Sequence, residues 1–247
     1  MPCVCGAYRF DDREQGPDLI WVKEPNARAI YKAVMGLHSL FDSSGAESPA
    51  AIAYLLRGNC YLNVTSRCTL RCGFCPKFNQ TWVIGGANLR LRQEPSVDEV
   101  LAAIGDPRGY DEIVFCGLGE PTLRLYEVIE IASTLHQRGA HRVRLNTDGL
   151  ANLVYGRDVT PDLEGSIDAL SISLNAQNEA IYNQHCRPSL AGSYNAMLEF
   201  ADRVRDFVPD VTMTAIDGLE GVDIDACERI ACDLGIKFRR RVLGAVG

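Results

Sequence analysis

Apolar residues recur along this chain in two alternating rhythms. Short runs rich in β-branched and aromatic residues at 60–64, 112–116, 142–146, 169–174, 210–215 and 236–243 predict strands. Between them, apolar positions spaced three and four apart predict helices over 97–104, 125–138, 193–207 and 224–234, with shorter helical pieces at 160–165 and 178–183. Strands that alternate with helices call for a parallel sheet with crossover connections, an α/β fold. Six strands in β–α order predict an open, partial barrel rather than a closed eight-stranded one. No 20–50-residue period recurs, which excludes a solenoid.

The first 48 residues have a different texture. Ile30, Val34, Leu37 and Phe41 fall at helical spacing after a start near Pro25–Asn26, and the polar stretch DSSGAES (42–48) reads as a linker. The expectation is an N-terminal extension, 1–48, whose one helix packs on a main domain, 49–247. A separate domain of that size would be marginal.

Composition narrows the function classes. At 247 residues and 47% hydrophobic content, the chain can build one large core, and extensive disorder is excluded. Its longest strictly apolar run, 50–56, is far shorter than the roughly 18–20 residues of a membrane helix. Early acids (Asp11, Asp12, Glu14) stand where an export signal needs a basic start, so a cytoplasmic location is expected and no membrane partner. A net charge of −7 does not indicate non-specific nucleic-acid binding. Arg239, Arg240 and Arg241 form one dense basic cluster that strand alternation would split between two faces. The plain reading is solvated strand-end charge; the alternative is an anion contact.

The ten cysteines carry the chemical signal. An exported disulfide scaffold is usually a short domain, and no export signal is visible in this long chain, so the thiols are expected to be free for metal or redox chemistry. Cys68, Cys72 and Cys75, spaced C-x3-C-x2-C, follow the first predicted strand directly. Three thiolates on one loop can hold three irons of a cubic cluster and leave the fourth open to a small molecule. A structural zinc would need a fourth ligand, and neither Cys60 nor Cys116 supplies a matching pair.

This motif, with Phe74 before its last cysteine, resembles the radical S-adenosylmethionine (SAM) superfamily. CGLGEP (116–121), LNTDG (145–149) and SISLN (171–175), each at a predicted strand end, strengthen the likeness. The ordered runs YLNVTSRCTLRCGFC, IVFCGLGEPTLRL, VRLNTDGLANLVYGRD, DALSISLNA and YNQHCRP resemble the TatD-family-associated radical SAM proteins over roughly 51–244. The resemblance implies a partial (β/α)6 radical-SAM barrel, a [4Fe-4S] cluster on Cys68, Cys72 and Cys75, and SAM bound at the vacant iron. It also implies reductive cleavage of SAM to a 5′-deoxyadenosyl radical that abstracts hydrogen from an unidentified substrate. Phe74 would then pack by the adenine, and Gly117, Gly119 and Glu120 would line the methionine end. Asn146, Ser171 and Ser173 would reach the ribose or carboxylate. A reductant such as flavodoxin or ferredoxin is the implied electron donor.

Other residues carry two readings each. Gly117-Leu-Gly119-Glu-Pro-Thr lacks the third glycine of a dinucleotide fingerprint, and Glu120 would repel a pyrophosphate. Cys186 could relay a hydrogen atom and Arg187 hold an anion; the alternative is a loop thiol beside a surface arginine. Cys116 reads as a small core residue, Cys3 and Cys5 as a lone pair in a terminus, and Cys227 and Cys232 as thiols on different helix faces. Two competing functions stay open: an activase placing a glycyl radical on a partner protein, and a non-enzymatic iron–sulfur electron carrier.

Overall fold

A computed structural model describes residues 49–78 and 81–243. The expected N-terminal helix, Cys3 and Cys5 lie outside the described residues. Strand β1 (Ala53–Leu56) runs antiparallel to β2 (Asn59–Leu62). The two residues that join them, Arg57 and Gly58, have φ of 51° and 82°. Positive φ at both positions matches the turn to the right-handed strand twist. A small hairpin follows, β3 (Val83–Ile84) and β4 (Ala87–Asn88).

Helix and strand then alternate: α1 (Val97–Ile104), β5 (Ile113–Phe115), α2 (Leu125–Gln137), β6 (Val143–Thr147), α3 (Ala151–Tyr155) and β7 (Ala169–Ser173). Two helices follow β7, α4 (Glu179–Cys186) and α5 (Ser193–Val204), then β8 (Asp210–Asp217), α6 (Ile224–Asp233) and β9 (Lys237–Val242). The main sheet is ordered β1-β2-β5-β6-β7-β8-β9, and every pair except β1–β2 is parallel. Six parallel strands in chain order, with helices on one side, make the expected partial (β/α)6 barrel.

Alternation along the strands sorts side chains to two faces. Leu62, Phe115, Leu145, Leu170, Ile172 and Met213 point outward into one core shared with the helices. The helices meet them with matching stripes, such as Val128, Ile131, Ala132 and Leu135 on α2, or Met197, Phe200, Ala201 and Val204 on α5. The opposite, concave face carries a second apolar cluster of Tyr54, Tyr61, Leu89, Val114 and Leu118 on its β2–β5 side and a polar cavity with Arg144, Ser171, Thr212 and Arg239 beside Tyr61.

All six parallel strands and the four longer helices fall where the periodicity puts them. The segment 160–165 is only a 3-10 turn, Thr160–Leu163, while the helix expected over 178–183 runs on to Cys186. The structure adds β1, which the uninterrupted apolar run 50–56 concealed, and the β3–β4 hairpin, whose strands are two residues each.

Candidate active site

The cysteine loop leaves the C-terminal end of β2 and is held from both sides by backbone hydrogen bonds. Arg71 N–H donates to the carbonyl of Cys186 at 2.9 Å and Gly73 N–H to that of His185 at 2.9 Å. Ser189 donates through its N–H and its hydroxyl to the Thr69 carbonyl, at 3.0 and 2.8 Å. The end of α4 therefore serves as a splint for the loop. On the other side, Glu120 N–H donates to the Arg67 carbonyl at 2.7 Å, and the Lys77 ammonium reaches the carbonyl of Ser66.

Inside this frame the thiols of Cys68, Cys72 and Cys75 are free and half-buried. Leu70 N–H lies 3.5 Å from the Cys68 sulfur, and the amides of Lys77 and Phe78 approach that of Cys75. Amide hydrogens aimed at sulfur favour the thiolate that an iron ligand must be. Without iron, burial dominates and pushes the Cys68 thiol up to about 12. Cys72 is raised too, first by its hydrogen bond with Cys186 and then by burial. Among the described residues no three histidine, cysteine or acidic side chains group as tightly as a single metal ion requires.

The segment after β5 packs onto the loop because it lacks side chains there. A Cβ on Gly119 would lie 2.3 Å from the Thr65 carbonyl oxygen and 2.5 Å from that of Arg67. One on Gly117 would lie 2.3 Å from Asn63 Oδ1. That Asn63 oxygen is buried without a partner, although its Nδ2 donates to the carbonyls of Ala51 and Leu89. Ser66 Oγ, Asn175 Oδ1 and Tyr182 Oη are likewise buried and unpartnered among the described residues. Three free thiols on one loop, with the partnerless Tyr182 hydroxyl within electrostatic reach of Cys68 and Cys72, fit a polar, iron-bearing group.

Glu120 and Asp148 form a buried acidic pair. Glu120 accepts from Thr122 N–H (3.0 Å), the hydroxyls of Thr122 (2.7 Å) and Thr147 (2.8 Å), and Asp148 N–H (2.7 Å). Asp148 accepts from Leu150 N–H at 3.0 Å and from the Thr69 hydroxyl. Burial pushes both carboxyls up, and the neighbouring Glu120 charge raises Asp148 further. Since its four hydrogen bonds are internal, Glu120 ties the β5 and β6 ends together rather than facing open space. Asp148, missed in the sequence, ties the same strand end to the cysteine loop.

The other expected site residues separate by height and face. Phe74 is half-buried against the main core. Asn146 lies on β6 in register with Ser171 of β7; its Oδ1 accepts from Arg144 at 3.1 Å, and it hydrogen-bonds the Cys116 thiol. Ser171 lines the concave cavity, and Ser173, one pleat nearer the C-terminal mouth, pairs in register with Thr214.

The sequence puts Cys186 in a loop above the cavity. It instead ends α4, fully buried, with its sulfur against Cys72 and 3.5 Å from Asn175 Nδ2. Because α4 runs on past 183, the thiol turns inward beneath the cysteine loop. Arg187 is exposed and lines a groove of about 780 Å³ with Arg71, and His185 is held by the Glu220 carbonyl at 2.7 Å. Cys116 is half-buried and packs, as a core residue, against a second apolar cluster of Tyr54, Tyr61, Leu89, Val114 and Leu118, whereas Cys227 is buried in the helix-packed core.

The chain has relatives. A probable dual-specificity RNA methyltransferase RlmN of Rippkaea orientalis (strain PCC 8801 / RF-1) is 30% identical over 123 residues. That match covers 46% of this chain and 32% of the relative, so the chain spans about a third of the curated relative's length. Among solved structures, TYW1 with a lysine-pyruvate adduct bound superposes with a TM-score of 0.54 at 13% identity, covering 89% of this chain and 74% of that one. A radical SAM methyltransferase from Sphaerobacter thermophilus gives 0.52 at 17% identity, over 77% and 68% of the two chains. Radical SAM enzymes use a [4Fe-4S] cluster and SAM, act on a substrate and take electrons from a reductant. Residues 62–233, well over half of the sequence, match the Radical SAM superfamily, and the chain belongs to that superfamily.

Proposed function

We propose that this protein is a radical SAM enzyme whose cluster is held by Cys68, Cys72 and Cys75, with SAM between that loop and the ends of β5, β6 and β7. The observation that carries the reading is three free thiols on one rigid loop at the C-terminal mouth of a half-barrel, where α/β barrels keep their chemistry. A cluster held there would supply the one electron for reductive cleavage of SAM to methionine and a 5′-deoxyadenosyl radical, which would take a hydrogen atom from the substrate.

The chain's own residues orient and shield. Glycines at 117 and 119 let the segment after β5 pack onto the β2 end and the cysteine loop, and its backbone would line the methionine end. Glu120 holds that backbone in place through Thr122, Thr147 and Asp148. Asn146, Ser171 and Ser173 offer polar contacts from the concave face to the ribose or carboxylate, and Phe74 offers an apolar one to the adenine. The ordered sequence runs further favour the TatD-family-associated branch.

Anaerobic reconstitution should load about four irons per chain, and dithionite with SAM should then release 5′-deoxyadenosine. Replacing Cys72 or Cys75 by Ala should abolish both. An iron-loaded protein that releases no nucleoside under several reductants overturns the reading.

One observation favours a second reading. The Cys186 sulfur stands beside Cys72, where a fourth thiolate would close the cluster and leave an electron carrier. Cys186→Ala decides between them: retained iron and retained SAM cleavage support the enzyme, whereas loss of the cluster supports the carrier.

A further inference from the structure

The last strand carries three arginines in succession, and the pleat gives them different surroundings. Arg240 points outward, where its guanidinium pairs with Asp217 (Nε to Oδ2, 3.0 Å). Arg239 and Arg241 point to the concave side. Arg239 lines a cavity of about 360 Å³ with Arg57, Tyr61, Arg144, Ser171 and Thr212. Arg241, one pleat closer to the mouth and half-buried, comes within electrostatic reach of Cys116 and Cys72.

Neither inward arginine has an ion pair or hydrogen bond among the described residues. Glu112 and Asp210 also line the cavity, but both acids are already engaged. Glu112 holds Arg142 at 3.1 Å and Arg144 at 2.9 Å, while Asp210 holds Lys237 at 2.8 Å and Arg142 at 2.5 Å. Two guanidinium groups on the same face of a strand, about 6.6 Å apart along it, repel each other, and Arg144 adds to the repulsion. Arg239 is exposed at the cavity and Arg241 half-buried; loss of water lowers both below the usual arginine range, and the charges of Arg144 and Arg241 lower Arg239 further. A chain with a net charge of −7 thus lines its concave face with uncompensated positive charge. Such a cavity concentrates anions.

We propose that Arg239 and Arg241 bind an oxyanion of the substrate, a phosphate or a carboxylate, and anchor it in the lumen below the reacting carbon. The planar guanidinium fork matches both oxyanions and holds them in fixed orientation. This inference rests on the radical SAM reading, which puts the substrate on the concave face. The methionine carboxylate of SAM is a poorer occupant. In that reading it is tied to the iron at the mouth, whereas Arg239 lies deeper along β9.

The test is a calorimetric titration of the full-length, cluster-loaded protein with pyrophosphate, inorganic phosphate and glutarate. At least one should bind, and the preferred probe separates a phosphate-bearing substrate from a carboxylate-bearing one. Arg239→Gln and Arg241→Gln should each weaken that binding about tenfold or more. Arg240→Gln should leave it unchanged. Arg239→Lys and Arg241→Lys, which keep the charge and lose the fork, should fall between, and they stand in if a glutamine variant misfolds. Absence of binding by all three anions overturns the proposal, as does equal binding by the Arg239→Gln/Arg241→Gln protein. Weaker SAM binding in the variants with unchanged oxyanion binding also overturns it, since the arginines then serve the cofactor. Nucleoside release from SAM by the wild-type protein is measured separately, so failure of the enzymatic reading is told apart from failure of the anion site.

Discussion

At the scale of single residues, the site depends on missing atoms and on buried acids. Gly119→Ala puts a methyl group against the Thr65 and Arg67 carbonyls, which belong to the backbone and cannot swing away. The loop must move, and a loss of about 1–3 kcal/mol is expected from such overpacking. Urea unfolding of the metal-free protein measures it, and iron loading should fall in parallel. The Glu120–Asp148 pair gives a pH signature. Both carboxyls are raised in the folded protein, so the folded state keeps protons that the unfolded chain releases above its ordinary carboxylate range. Stability is therefore fully present in acid and declines as pH rises through the raised values. Asp148→Asn removes one of the two charges and keeps an oxygen for Leu150 N–H. Its urea midpoint should change less between pH 4.5 and 7 than that of the wild type, and an equally steep decline would remove the pair as the cause.

At the scale of elements, boundaries follow local chemistry that the sequence states openly in some places and hides in others. Helix α1 starts where a capping box starts it: Ser96 Oγ accepts from Glu99 N–H at 3.2 Å, and Glu99 Oε2 accepts from Ser96 N–H at 2.8 Å. The S-x-x-E spacing that marks this start is written in four consecutive residues. Ser96→Ala should cost about 1 kcal/mol in unfolding free energy. Arg124 gives no such signal. Its guanidinium is buried and donates from Nη1 to the carbonyls of Val64 (2.8 Å) and Pro95 (2.7 Å), joining the β2 end to the entry of α1. Arg124→Met should cost about 2–4 kcal/mol by leaving both carbonyls unpaired, a difference that chemical denaturation resolves. Strands, long helices and the cysteine motif are readable because each is written in local spacing. Asp148, Arg124 and the splint from α4 are not, because each depends on contacts between distant segments of the chain.

At the scale of the molecule, the barrel sorts charge by end and by face. The cysteine loop, Glu120 and Asp148 occupy the C-terminal mouth, while the N-terminal ends of β5, β6 and β8 are laced by Glu112, Arg142, Arg144 and Asp210. Periodicity places the strands but cannot show this lacing, since neighbours in the sheet are far apart in the chain. Glu112 is central to it: its two oxygens take Arg142 and Arg144, and only 15% of its side chain is exposed. Glu112→Gln leaves two arginines facing a neutral amide and adds Arg144 to the unpaired positive charge of the lumen. We expect a loss of about 2 kcal/mol, less than for a fully buried pair because Arg142 is 40% exposed and partly screened. Arg144→Gln on that background should recover part of the loss, since it takes away the charge that Glu112 had balanced. A double-mutant cycle in urea measures the coupling. If the two losses simply add, the ends of β5 and β6 are held by packing, and the lacing does not contribute to closing the sheet's lower rim.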